Sequence, residues 1–168
     1  MGAIDNAITW AVNIANDNRY TYGTPNPPPV PPYHMDCSYF VIHAWELGAN
    51  VNCHGATYTD NMESCMTIDN TFISIPFDYS QAIRGDVFLR ENGYAGHSIG
   101  HTVLYMGNGQ IVHASTHHPD DPDRDILVTN YYANDYRVIL RYNGGEPPPL
   151  DIYKTILSRW IRRRFNQL

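Results

Sequence analysis

The hydrophobic pattern of this chain changes its period near residue 85, and that change limits the folds open to it. After residue 85, apolar and polar residues alternate in five short segments, which predicts β-strands separated by Gly, Asn and Asp turns. These segments are GDVFLR, HTVLYM, QIVHAS, DILVTNYY and YRVILRY. Before residue 85, apolar residues recur at helical spacing in residues 3–17 and 37–48, with a shorter helix expected in YTDNMESCM. Helices followed by an antiparallel meander predict an α+β fold.

The stretch RYTYGTPNPPPVPPYHM, residues 19–35, separates the first two predicted helices. Prolines at 27–29, 31 and 32 exclude both a helix and a central strand, because proline donates no backbone hydrogen bond and its ring blocks the helical turn. We therefore expect an extended surface loop here.

The C-terminal residues differ from the rest of the chain in composition. GGEPPP, residues 144–149, has the composition of a linker between a domain at 1–143 and a basic amphipathic helix at 150–168. Of the net charge of −6, the residues from 150 onward contribute +4, so the remainder carries −10. Such an acidic body argues against nucleic acid as the main partner.

The N-terminus predicts synthesis in the cytoplasm. MGAIDNAITWAVNIANDN carries an acid and no basic region, so it does not have the pattern of a secretory signal. No apolar run in the sequence reaches the length that spans a bilayer.

Cys37 stands at the start of an apolar helical pattern, directly after Asp36. A helix N-terminus exposes unsatisfied N–H groups and the positive end of the helix dipole, and both lower the pKa of a thiol. Asp36 is a plausible N-cap whose carboxylate turns toward backbone amides. The alternative is that Cys37 is a small core residue.

A nucleophilic thiol needs a base, and the chain has eight histidines. His101 and His113 lie in consecutive predicted strands joined by GNG, residues 107–109. A two-residue turn would place them on opposite faces of the hairpin, whereas a three-residue loop would place them on one face. We predict the three-residue loop, with His101 as general base and His113 orienting it. His97 is the rival base, in a glycine-rich segment.

The remaining cysteines and histidines leave alternatives open. Cys53 and Cys65 form a disulfide in one interpretation, and all three cysteines are reduced thiols in the other. The HHPDDPDRD stretch, with His117 and His118, offers metal ligands beside His113. Its spacing matches neither an EF-hand loop nor a metalloprotease helix, so a solvated acidic loop is favoured and no metal is expected.

Three stretches together resemble the NlpC-type cysteine peptidases of the papain-like superfamily. They are MDCSYFVIHAWELGA, RGDVFLR and GHTVLYMGNGQIVHAS, and the likeness covers roughly residues 4–142. The layout is also similar to the catalytic domains of phage lysins in that superfamily. The resemblance implies a papain-like fold with N-terminal helices on an antiparallel sheet.

The resemblance also implies roles for individual residues. Cys37 matches the family's nucleophile, His101 the base and His113 the third, orienting residue. Tyr20 in YTYG matches a family tyrosine near the oxyanion, but Thr24 replaces a glycine of that motif and Tyr33 is the substitute candidate. Asp36 and Ser38, from the D-C-S motif, complete the expected oxyanion and substrate-binding set.

The activity implied by the resemblance is hydrolysis of a peptidoglycan amide by a thiol mechanism without a cofactor. The bond would be the muramoyl–L-alanine amide or one within the stem peptide, and the protein would act on the bacterial wall after release. The alternatives are a cysteine protease or toxin acting on another amide, a non-catalytic wall-binding module on the same fold, and a metal-dependent hydrolase.

The basic tail has three interpretations. It packs back on the catalytic domain, its arginines hold an anionic wall polymer or a membrane, or it begins a wall-binding region.

Overall fold

The computed structural model describes residues 2–25, 33–116 and 125–144. It has three α-helices, α1 (Ala3–Ala15), α2 (Cys37–His43) and α3 (Thr59–Met66), and a π-helical turn, Ala44–Gly48, that directly follows α2. The eight strands are β1 (Tyr20–Tyr22), β2 (Tyr33–Met35), β3 (Phe72–Pro76), β4 (Val87–Arg90), β5 (His101–Gly107), β6 (Gln110–Ala114), β7 (Ile126–Asn130) and β8 (Val138–Tyr142). The predicted α+β class is confirmed, with the helices before the main sheet.

The main sheet has six antiparallel strands in the order β3-β8-β4-β5-β6-β7. Strands β4 to β7 form the expected meander. Strand β8 departs from it, because it returns across the sheet to pair with β4 and β3 instead of β7. Strand β3 was not predicted; it lies at the sheet edge, where its terminal Pro76 is tolerated.

The stretch expected to be an extended loop contains two short strands. Strands β1 and β2 pair in parallel, with Tyr20 opposite Tyr33 and Tyr22 opposite Met35. The prolines at 27–29, 31 and 32 lie outside the described residues. This small sheet leads directly into α2.

The helices cover one face of the main sheet. Ile8, Ala11 and Ala15 recur at helical spacing in α1 and are buried against the sheet and the π-helical turn. Helix α2 and the turn bury Phe40 and Trp45 completely. This face holds the larger of the two apolar cores, and it places the N-terminus of α2 beside β5 and β6.

The opposite face of the sheet is covered by loops. Its core is a second apolar cluster with a high aromatic content, consisting of Phe88, Val103, Tyr105, Ile111, Tyr136 and Ile139. Because both faces are covered, all four residues of β4 are buried.

The proposed linker at 144–149 and helix at 150–168 fall almost entirely outside the described residues. Within the part of the chain that the structure describes, no helix has the length and apolar character needed to cross a bilayer.

Candidate active site

Asp36 caps α2, as the sequence predicts. Its Oδ1 accepts hydrogen bonds from the Tyr39 backbone N–H at 2.7 Å and from the Ser38 hydroxyl at 2.8 Å. Cys37 is consequently the first helical residue, in the turn whose N–H groups have no partner within the helix. The hydroxyl of Ser38, which is buried, is used in this cap.

The surroundings of Cys37 favour a neutral thiol. Cys37 is only 7% exposed, and burial raises its pKa to about 11, with the Asp36 carboxylate acting in the same direction. The backbone N–H groups of Thr102 and Ser38 oppose this rise. The net pKa of Cys37 is therefore raised and not lowered as expected, because loss of hydration outweighs the N–H groups of the helix start.

The Thr102 contact fixes where the sulfur lies. A backbone N–H that acts on the Cys37 thiol belongs to the residue immediately after His101, near the start of β5. The N-terminus of α2 thus meets the strand that carries the predicted base.

The hairpin of β5 and β6 differs in detail from the predicted three-residue loop. Gly107 pairs with Gln110 around a two-residue turn, in which Asn108 and Gly109 both have positive φ angles of 53° and 76°. A β-bulge between Tyr105 and Gly107 then shifts the register by one residue. Beyond the bulge, Tyr105 pairs with Ile111, which is the register that the three-residue loop would have produced.

Because of this register, the two histidines meet. His101 Nε2 lies 3.0 Å from His113 Nδ1, and the ring centroids are 5.2 Å apart. His113 is fully buried, whereas His101 keeps 8% of its surface exposed. In such a pair one nitrogen donates and the other accepts, so His113 holds the ring of His101 in one orientation.

Two tyrosines from residues 131–137 pack on the histidine pair. The Tyr136 ring lies 6.4 Å from that of His101, and the Tyr132 ring lies 5.9 Å from that of His113. On β4, Arg90 is the cross-strand partner of His101. Sequence reasoning missed all three residues, since the tyrosines come from an irregular segment and only the sheet pairing reveals Arg90.

His97, the rival base, lies elsewhere. Its Nε2 bonds Asp135 Oδ2 at 3.0 Å, and both side chains are exposed. The structure thus joins His101, and not His97, to a second imidazole.

Tyr22 is a further tyrosine of this region. Burial raises the pKa of its hydroxyl, and Cys37 and Asp36 act in the same direction. Tyr20 and Tyr33, the residues named from the sequence, contact each other with ring centroids 4.9 Å apart. Tyr22 lies in the same YTYG motif and could have been found there.

Cys53 and Cys65 are separate thiols, Cys53 buried and Cys65 partly exposed. Within residues 2–25, 33–116 and 125–144, no three His, Cys, Asp or Glu side chains cluster as metal ligands would. His117 and His118, considered as metal ligands, lie outside the described residues.

Comparisons with known proteins bear on the family and the fold. A model of the NlpC/P60 family matches residues 17–141. A sequence comparison with curated proteins finds no match.

Solved structures share the fold. The P60 domain of an antigen from M. avium subspecies paratuberculosis is 21% identical, with a TM-score of 0.57 over 85% of this chain and 96% of that one. The peptidoglycan hydrolase RipB from Mycobacterium tuberculosis is also 21% identical, with a TM-score of 0.55 over 83% of this chain and 64% of that one. NlpC2 from Trichomonas vaginalis is 19% identical, with a TM-score of 0.54 over 84% of this chain and 46% of that one.

Proposed function

The chain belongs to the NlpC/P60 family, and we propose that it is a peptidoglycan hydrolase of the phage endolysin type that cleaves a cell-wall amide with Cys37 as nucleophile. The observation that carries this proposal is the His101–His113 pair, 3.0 Å apart and beside the helix start that presents Cys37. The likeness to RipB, a peptidoglycan hydrolase with the same fold, supports the choice of substrate.

The chemistry begins with a protonated thiol. As the Cys37 sulfur attacks the amide carbonyl carbon, its proton passes to His101 Nδ1, because Nε2 is engaged with His113. A carbon–sulfur bond forms and the carbonyl electrons move onto oxygen. We expect the backbone N–H of Cys37, in the first turn of α2, to donate to this oxyanion, with the Tyr22 hydroxyl as a second candidate donor.

The intermediate collapses with cleavage of the carbon–nitrogen bond. His101 returns the proton to the leaving amine, and a thioester remains on Cys37. Water then attacks the thioester, with His101 taking a proton from the water and delivering it to the departing sulfur. No step requires a group beyond the chain and water.

The exposure of the three residues fits these roles. Cys37 and His101 each retain a small accessible surface, whereas His113 is completely buried beside His101. An enclosed orienting residue keeps its hydrogen bond from competing water.

The test is hydrolysis of purified cell walls. Loss of turbidity, with the soluble products identified by mass spectrometry, would show hydrolysis and distinguish muramoyl–L-alanine cleavage from cleavage within the stem peptide. Cys37→Ala should give no product. A wall-binding module would bind walls equally as wild type and as Cys37→Ala and would release no product. A protease that acts on a different substrate would leave walls intact.

We also propose that the basic residues after 150 bring the enzyme to an anionic wall polymer. These are Lys154, Arg159, Arg162, Arg163 and Arg164, against one acid. Replacing Arg162, Arg163 and Arg164 with Gln should weaken sedimentation with intact walls and have little effect on walls stripped of anionic polymer. Equal binding in both cases would refute this role.

A further inference from the structure

Arg90 occupies a position beside the histidine pair that the proposed chemistry does not use. It ends β4 and is the direct partner of His101 across the antiparallel pair. Directly opposed residues in such a pair project from the same face, with their Cβ atoms about 4.5–5.5 Å apart. The Arg90 side chain therefore leaves the sheet next to the imidazole of His101.

The guanidinium joins two segments that border the site. One is the entry segment, residues 91–100, which leads into His101, and the other is the cover segment, residues 131–137, which carries Tyr132 and Tyr136. Arg90 Nη2 donates to the Ile99 carbonyl at 3.3 Å, and Nη1 donates to Asn134 Oδ1 at 2.7 Å and to the Asn134 carbonyl at 3.1 Å. One side chain thus holds the backbone on both sides of the His101 ring.

The burial of Arg90 argues against a role in stability alone, because burying its charge opposes folding. It is 7% exposed, and its hydrogen-bond acceptors within the described part of the chain are uncharged oxygens. Burying a guanidinium without a carboxylate costs free energy that an apolar side chain of similar size would avoid. Its charge acts on the hydroxyls of Tyr132 and Tyr136, the rings that pack on the two histidines.

Arg137 provides a contrast within the same region. It too joins the cover segment to the entry segment, at Glu91, and to α3, at Glu63, but both partners are carboxylates. Arg137 therefore holds the first residue of the entry segment through ion pairs, whereas Arg90 binds the carbonyl of Ile99, two residues before His101.

We infer that Arg90 is a positioning residue for His101: its planar fork fixes the entry and cover segments together and so holds the His101 ring between His113 and Cys37. The expected effect on kcat rests on the proposed function. The effect of Arg90 on the position of the His101 ring does not, because it can be measured without hydrolysis. The fork matters because a catalytic ring displaced by about 1 Å loses on the order of 10²-fold in rate.

The test compares Arg90→Met with the matched control Arg137→Met. Arg90→Met should lower kcat on walls roughly 10–100-fold with little change in KM, because the base is misplaced while binding surfaces remain. Arg90→Lys should recover only part of the loss, since a single ammonium cannot span both segments. Arg137→Met should lower the unfolding midpoint at least as much as Arg90→Met does, but its kcat should stay at the wild-type value.

A second readout does not depend on hydrolysis. Imidazole nitrogen NMR of the wild type should show the shared proton between His101 and His113, and Arg90→Met should broaden or remove that signal while Arg137→Met preserves it. If Arg90→Met does not fold, Asn134→Ala, which removes one acceptor, should show a smaller loss of the same kind.

Two results would overturn the inference. One is an unchanged imidazole signal in Arg90→Met or, where that variant does not fold, in Asn134→Ala. The other is an equal loss of kcat in Arg137→Met. A wild type that leaves walls intact would refute the proposed function alone, and the NMR comparison would still decide the role of Arg90.

Discussion

His113 Nδ1 lies 3.0 Å from His101 Nε2, and His113 is completely buried whereas His101 keeps 8% of its surface exposed. We therefore expect different tasks for two residues of the same type. The buried ring would orient its neighbour, and the partly exposed ring would exchange a proton with sulfur and substrate.

Removal of the sulfur should abolish hydrolysis. Cys37→Ala should release no soluble fragments from walls, because no other described thiol lies at the helix start beside His101. Cys65→Ala, a change at a partly exposed thiol, is the control and should retain wild-type turnover. Measurable product from Cys37→Ala would exclude a thiol mechanism.

The two histidines should differ in importance, and His97 should matter little. His101→Ala should lower kcat about 10²–10⁴-fold, the usual contribution of a general base. His113→Ala should cost roughly 10–100-fold through misorientation of His101. His97→Ala should keep kcat near wild type, since His97 bonds Asp135 at the surface. A large loss in His97→Ala with full activity in His101→Ala would reassign the base.

Alkylation of Cys37 should depend on His101. Burial and Asp36 raise the pKa of the Cys37 thiol to about 11, so near neutral pH the thiol is protonated and reacts only as His101 takes its proton during the attack. In the wild type, we expect labelling by iodoacetamide below pH 8, faster than at Cys53 or Cys65. In His101→Ala, labelling at a given pH should be slower and its onset should move to higher pH. Peptide mapping of the labelled sites across pH measures both, and identical profiles would contradict a proton exchange between the two residues.

Asp36 has two separable effects. Asp36→Asn keeps an oxygen that can accept from Tyr39 but removes the charge, so the pKa of Cys37 should fall and alkylation at a given pH should be faster. Asp36→Ala should also remove the charge but lose the cap, at a cost of about 0.5–2 kcal/mol in unfolding free energy. Denaturant unfolding and alkylation rates, measured on both variants, separate the cap from the charge. Equal stability of the two would show that the cap contributes nothing.

Gly100 should be intolerant of a side chain. A Cβ there would lie 2.2 Å from Thr59 Oγ1 and 2.8 Å from the Arg90 carbonyl, so Gly100→Ala must shift the backbone that leads into His101. We expect a loss of roughly 1–3 kcal/mol in stability together with lower kcat. The control is Gly48→Ala, whose Cβ would lie 2.6 Å from Trp10 Cβ in the helical layer. It should destabilise the fold but leave kcat in the surviving folded protein unchanged.

Local patterns predicted most of the elements. Periods of two and 3.6 residues identify the helices and five strands, because each buries one face against the other layer. Strand β3 was not predicted because a short edge strand that ends in proline has a weak pattern. The pairing of β8 with β4 was not predicted because it joins residues distant in sequence.

Short motifs predict Cys37, His101 and His113 as the candidate site, but they do not predict what surrounds these residues. The pKa of Cys37 depends on burial, which the helix position alone cannot give. Arg90 lies beside His101 because of the pairing between β4 and β5, and Tyr136 comes from an irregular segment. Neither arrangement leaves a periodic pattern in the sequence.

The β-bulge near Met106 sets the register of the β5–β6 hairpin. Whether His101 and His113 share a face therefore depends on whether the hairpin changes length by an odd or an even number of residues. Losing or gaining one residue there would rotate the His113 side chain through half a turn, toward the helical layer and away from His101. Changes of two residues would leave both imidazoles facing each other. The hairpin can therefore be lengthened only by an even number of residues if the contact between His101 and His113 is to be kept.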